Sequence, residues 1–147
     1  MARILGIDYG ERRIGLAVSD PTGTIAQPLP PILRRRGKRP PVQAILELMT
    51  AYDVEQVVVG LPLTLEGGDS EWTSEVRTFA ERLGERSGRS VSLLDERMTS
   101  VMAERTVRSL GLKRRERERK DRVDTTAAMI ILQLFLSRSH GREETDG

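Results

Sequence analysis

A chain of 147 residues with no cysteine and one histidine cannot build disulfides, zinc–thiolate sites, thiol nucleophiles, a histidine-based triad or a histidine metal cluster. Any acid–base or metal chemistry must run on carboxylates, lysines or hydroxyls. The net charge is only +2, but the cations are clustered: Arg34 to Arg39 holds five without an acid, and Lys113 to Arg122 holds seven against Glu116, Glu118 and Asp121.

Residues 2 to 8 are expected to form the first strand. Ile4 to Ile7 contains no polar side chain, as suits the centre of a sheet covered on both faces. Asp8 ends that strand, Gly10 to Arg13 forms a turn, and Arg13 to Ser19 returns as the hairpin partner. A short third strand is expected near Thr24 to Pro28, and the proline- and arginine-rich stretch from Pro28 to Pro41 reads as a loop. Pro41 stands where a first helical residue would, ahead of an apolar stripe of Val42, Ile45, Leu46 and Met49. Glu55 to Gly60, rich in valine, is a second buried strand, followed by a loop, Leu61-Pro-Leu-Thr-Leu-Glu-Gly-Gly68. A helix of about four turns is predicted over Ser70 to Ser87. Trp72, Val76, Phe79, Ala80 and Leu83 share its core face, and Gly88 is its stop. Ser90 to Asp95 is another strand ending in acid. Thr99 or Ser100 caps a helix reaching Leu110, and a last helix runs from about Asp121 to Ser137. The order ββ(β)-α-β-α-β-α-α implies one α/β domain over residues 1–137, a mixed sheet with helices on its faces and a polar, frayed tail over 138–147. With no bilayer-length apolar stretch and no signal-peptide pattern, a cytoplasmic location is expected.

Three acidic positions stand out. Asp8 ends the first strand and Asp95-Glu96 the last, and each alone is as readily an ordinary strand-terminal turn. Asp124 has Ala127, Ala128, Ile131 and Phe135 at i+3, i+4, i+7 and i+11, so it shares the buried stripe of the last helix. C-terminal ends of parallel strands share one edge of a sheet, so these acids can converge there. Clustered carboxylates call for a hard cation, and Mg²⁺ or Mn²⁺ prefers such oxygen ligands. A site of that kind suits a phosphodiester and a two-metal displacement. The two basic runs, in a chain with only five aromatic residues, point to a polyanion held by its phosphates rather than by base stacking.

Four segments then converge on one family. Gly6-Ile-Asp-Tyr-Gly-Glu-Arg-Arg-Ile-Gly-Leu-Ala-Val-Ser-Asp20, Val58-Val-Gly-Leu-Pro62 with Gly67, Asp95-Glu-Arg-Met-Thr99 and Lys120-Asp-Arg-Val-Asp-Thr-Thr-Ala-Ala128 resemble the YqgF (RuvX) family of RuvC-like proteins in the ribonuclease H superfamily. The resemblance implies a ribonuclease H-like fold, a five-stranded mixed sheet with its first three strands antiparallel. It also implies Mg²⁺- or Mn²⁺-dependent nuclease activity. The implied role is maturation of the 5′ end of pre-16S ribosomal RNA, with precursor rRNA or a pre-ribosomal particle as partner. An older family reading is a resolvase of DNA junctions, with branched or single-stranded DNA as partner. Asp8, Asp124 and one of Asp95 and Glu96, with Glu96 favoured, would be the catalytic metal ligands.

Arg97 would hold a phosphate or pair with a neighbouring acid. Arg12, Arg13 and Lys120 would track the backbone, together with Arg34, Arg35, Arg36, Arg114 and Arg115 in the basic runs. The loop Gly60 to Gly68 reads equally as a substrate-shaping lid or a plain connection, and Trp72 as core. Two other classes compete. Asp-x-Gly also occurs in actin-like ATPases, which need a duplicated domain that this length cannot supply. A non-catalytic nucleic-acid-binding module would leave Asp124 without a purpose. A monomer and a homodimer are both compatible with the sequence.

Overall fold

The computed structural model describes residues 3–34, 39–63, 68–98 and 127–138. Five strands form one sheet in the order β3-β2-β1-β4-β5. β2 (Arg13–Ser19) runs antiparallel to both β1 (Arg3–Tyr9) and β3 (Ala26–Leu33), whereas β4 (Val54–Leu61) runs parallel to β1 and β5 (Ser90–Asp95) parallel to β4. This is the expected mixed sheet, with helices on both faces.

Strand alternation divides the core in two. Odd-numbered positions of β1 and β4 (Leu5, Ile7 and Tyr9; Val57, Val59 and Leu61) pack with Val42, Ile45 and Met49 of α1 (Val42–Ala51) and with Val76, Phe79, Ala80 and Leu83 of α2 (Glu71–Ser87). Ala17, Val58 and Leu94 face the other way, against Ala127, Ala128, Ile131, Leu132 and Leu136 of the helix over residues 127–138. That helix lies close to the sheet because small residues lie beneath it. A Cβ built on Gly6 would come within 2.7 Å of Leu132 Cβ and 3.0 Å of the Ala128 carbonyl oxygen.

α2 is bounded as the sequence predicts. Ser70 is its N-cap, its hydroxyl accepting from the Thr73 amide at 3.1 Å, and Gly88 closes it in the left-handed conformation at φ 69°. The β2–β3 turn is built on Asp20, whose carboxylate accepts from the Thr24 and Ile25 amides at 2.8 Å each and from the Thr22 hydroxyl. These bonds hold the Asp20 carboxyl down at about 2, the Ile25 amide contributing most.

Two expectations need correction. The third strand starts at Ala26 and runs to Leu33, so much of the stretch assigned to a loop by its prolines is sheet. An edge strand tolerates proline where its nitrogen faces outward. Here, too, β2 advances two residues from Ile14 to Leu16 while β3 covers the three steps from Ile32 to Leu29, leaving Pro30 and Pro31 in the irregularity. Pro41 is the N-cap of α1, not its first residue. The helix expected from Thr99 or Ser100 to Leu110 and the first turns of the last helix lie outside the described residues.

Candidate active site

The site is built by register. Ile7 pairs with Val59 across β1 and β4, so the next position places Asp8 beside Gly60; Gly60 in turn pairs with Leu94, and Leu61 with Asp95. On the other side Asp8 pairs with Gly15. Asp8 alternates with Gly6 and Ile4, which puts it on the face covered by the C-terminal helix. It is only 2 % exposed.

Glu96 follows β5 as the first residue of a single 3₁₀ turn, Glu96–Met98, and is 1 % exposed. Its Oε1 lies 2.5 Å from where a Gly60 Cβ would stand, beside Ile131 Cδ1. The Glu96 carboxylate therefore lies over β4, on the same face as Asp8. β5 and β1 are two strand spacings apart, about 10 Å, but this reach brings the carboxylate to within roughly one spacing, about 5 Å, of β1. Two buried carboxylates from distant segments thus lie on one face at the C-terminal rim of the parallel strands.

Asp95 is placed differently. Its side chain is 28 % exposed and forms a fork with Arg97, Nη2 to Oδ2 at 2.7 Å and Nε to both oxygens at 3.1 Å, while the Arg97 amide donates to Oδ1 at 2.9 Å. The Arg97 side-chain hydrogen bonds hold the Asp95 carboxyl below the usual carboxylate range, and the charge of Arg97 adds to this. Strand alternation sends consecutive acids to opposite faces, so Glu96 turns toward Asp8 and Asp95 toward Arg97. Arg97 thus takes the ion-pair alternative weighed for it, with Asp95 as partner.

Arg12 is exposed at the β1–β2 turn, and Arg13 starts β2 partly buried, both at the same rim as Asp8. Arg34 is tied into the fold. Its Nη1 donates to the Gly10 carbonyl at 2.8 Å, its amide donates to the Arg12 carbonyl at 2.7 Å, and its guanidinium lies 4.7 Å from the centre of the Tyr9 ring. Burial pushes the Tyr9 hydroxyl's pKa up, against the opposing charge of Arg34. Tyr9 also stacks on Phe79 at 4.2 Å and Trp72 at 5.3 Å between ring centres, which places Trp72 in the core as expected. Asp124, Lys120, Arg35, Arg36, Arg114 and Arg115 lie outside the described residues, as do residues 64–67 of the candidate lid.

Among the described residues, no group of three or more acids or imidazoles is placed to share an ion; the rim supplies the Asp8–Glu96 pair. A pair of oxygen-only donors at this depth suits a hard divalent cation. Sequence reasoning missed Gly60, although a glycine inside a run of valines signals close approach by another group.

No helix among the described residues is long and apolar enough to cross a membrane. The profile of the RuvX family, described as Holliday junction resolvase, matches residues 2–138. A protein of Anaplasma marginale is 44 % identical over 140 residues, covering 95 % of this chain and 87 % of its own length. One from Koribacter versatilis is 43 % identical over 136 residues, covering 92 % and 87 %. Both bear the name "Putative pre-16S rRNA nuclease". Among solved structures, the RuvC of T. thermophilus in complex with a Holliday junction substrate superposes with a TM-score of 0.56 at 18 % identity, over 95 % of this chain and 97 % of that one, a likeness of fold. With its four motifs in order, its RuvC-like sheet and a family match over nearly the whole length, the chain belongs to the RuvX family.

Proposed function

We propose that this protein is a metal-dependent endonuclease that hydrolyses phosphodiester bonds in precursor 16S ribosomal RNA in the cytoplasm. The observation that carries the reading is the Asp8–Glu96 pair, two almost fully buried carboxylates on one face of one sheet rim. Two such groups resist joint ionisation unless a cation neutralises them. The names of the relatives from Anaplasma marginale and Koribacter versatilis supply the substrate.

Asp8 and Glu96 would hold Mg²⁺ or Mn²⁺, with Asp124 as the third ligand by its place in the matching motif and on the stripe of Ala127, Ala128 and Ile131. Divalent metal bound there supplies an activated water and stabilises the charge on the leaving oxygen. The chain's own residues orient the substrate. Arg12 and Arg13, at the turn on the same rim, contact its phosphates, while the C-terminal helix keeps bulk water from the inner side of the acids. The family's description favours a second reading, resolution of DNA junctions. Symmetric cutting of a junction would require a two-fold dimer.

The test is a panel of precursor-rRNA fragments, single-stranded RNA and DNA junctions incubated with Mg²⁺ or Mn²⁺, comparing wild type with Asp8→Asn. The variant is expected to bind as well or better, because repulsion of phosphate falls, and to cut at least about a hundredfold more slowly. Equal cutting by the two proteins refutes the assignment. Preference for the junction over RNA selects the second reading.

A further inference from the structure

We propose that Gly60 is a positioning residue for Glu96: its missing side chain is the opening through which the Glu96 carboxylate crosses β4 to reach Asp8. This rests on the nuclease reading above and concerns the same site. β4 reads Val-Glu-Gln-Val-Val-Val-Gly-Leu from Val54 to Leu61, and a glycine is out of place there on propensity alone. Backbone conformation does not require it. Among the described residues the glycines with positive φ are Gly23 and Gly88, so Gly60 holds a backbone shape that alanine adopts freely. Space requires it. A Cβ there would lie 2.5 Å from both Glu96 Oε1 and Ile131 Cδ1, and 3.3 Å from Glu96 Cδ.

The nature of the obstructed atoms decides what a methyl would do. At Gly6 the nearest obstructions are a Cβ and a main-chain oxygen of the C-terminal helix, which move only if the helix moves. At Gly60 both are tips of flexible side chains, so the fold accommodates the methyl by displacing them. One of those tips is the Glu96 carboxylate. The displacement needed to restore an ordinary contact is close to 1 Å, about the error in placement that costs a catalytic site two orders of magnitude. The arrangement at Asp95 leaves no substitute, because its carboxylate is held by Arg97.

The experiment compares Gly60→Ala, Ile131→Val, the double variant G60A/I131V and the cycle of G60A with Glu96→Asp, with D8N and Glu96→Gln as references. Ile131→Val removes the obstructing Cδ1 and leaves Glu96 the only obstructed group, so G60A/I131V also serves if G60A alone folds poorly. G60A and G60A/I131V are expected to lose about 10- to 100-fold in kcat with KM for RNA within about twofold of wild type. They should also lose most of the rise in Tm that Mn²⁺ gives wild type. In the Glu96→Asp background, whose shorter side chain does not reach the added methyl, G60A should cost nothing further.

Recovery of wild-type kcat in G60A/I131V would overturn the proposal, because it would assign the glycine to helix packing. So would wild-type activity and a wild-type Mn²⁺ response in G60A while Glu96→Gln is inactive. If D8N and Glu96→Gln both cut like wild type, the nuclease reading fails instead, and the two failures are distinguishable.

Discussion

Replacing Gly6 by alanine inserts one methyl between β1 and the C-terminal helix. The new Cβ would stand 2.7 Å from Leu132 Cβ and 3.0 Å from the Ala128 carbonyl oxygen, against about 3.5–4.0 Å for an ordinary carbon contact. Both atoms belong to or adjoin the helix main chain, so relief requires the helix to shift by about 1 Å. Overpacking of this kind costs about 1–3 kcal/mol, and the rigid neighbours argue for the upper end. Alanine restricts the unfolded chain more than glycine does and returns about 0.4–1 kcal/mol. A net loss of about 2 kcal/mol remains, which for a chain of this size lowers Tm by about 4–8 °C. Urea titration followed by circular dichroism, alongside a thermal scan, measures it. A Tm at or above that of wild type would show that the helix does not rest on Gly6, and would undo the close-packing account of this face.

Ser70→Ala removes the α2 cap and with it the hydroxyl beside Thr73, whose own hydroxyl donates to the Pro62 carbonyl at 2.6 Å in the chain leaving β4. A loss of about 1 kcal/mol in urea unfolding is expected, and the same midpoint as wild type would refute it. Asp20→Asn tests the β2–β3 turn by pH. The folded carboxyl titrates at about 2, below its unfolded value near 4, so its contribution is present above about pH 4 and disappears as the pH falls toward 2. The Tm gap between wild type and Asp20→Asn should therefore close over that interval; a constant gap would show that the charge on Asp20 contributes nothing.

Much of the fold was legible because its signals are local. An unbroken apolar run, a turn signal, an apolar helical stripe and a glycine stop wrote β1, β2, α2 and β5 into the sequence, and the predicted bounds of β2 and β5 match the observed strands. The third strand was misjudged because proline is a poor strand former in general and an acceptable one at an edge. Whether Ala26 to Leu33 lies at an edge depends on which strands pair, and no local pattern states that.

The site divides in the same way. The sequence by itself determined that chemistry here must rest on carboxylates, lysines or hydroxyls, that Asp8 and the Asp95-Glu96 pair end strands, and that Asp124 shares a stripe with Ala127, Ala128 and Ile131. Only the tertiary structure separated the positions of the neighbouring acids, placing the Glu96 carboxylate over Gly60 on the face of Asp8 and pairing Asp95 with Arg97. It also placed the Arg34 guanidinium on the Tyr9 ring and the Gly10 carbonyl. Residue type and order specify which groups are available. Strand register, fixed by pairings among residues tens of positions apart, specifies which face each group occupies, and a shift of one residue would have exchanged the roles of Asp95 and Glu96.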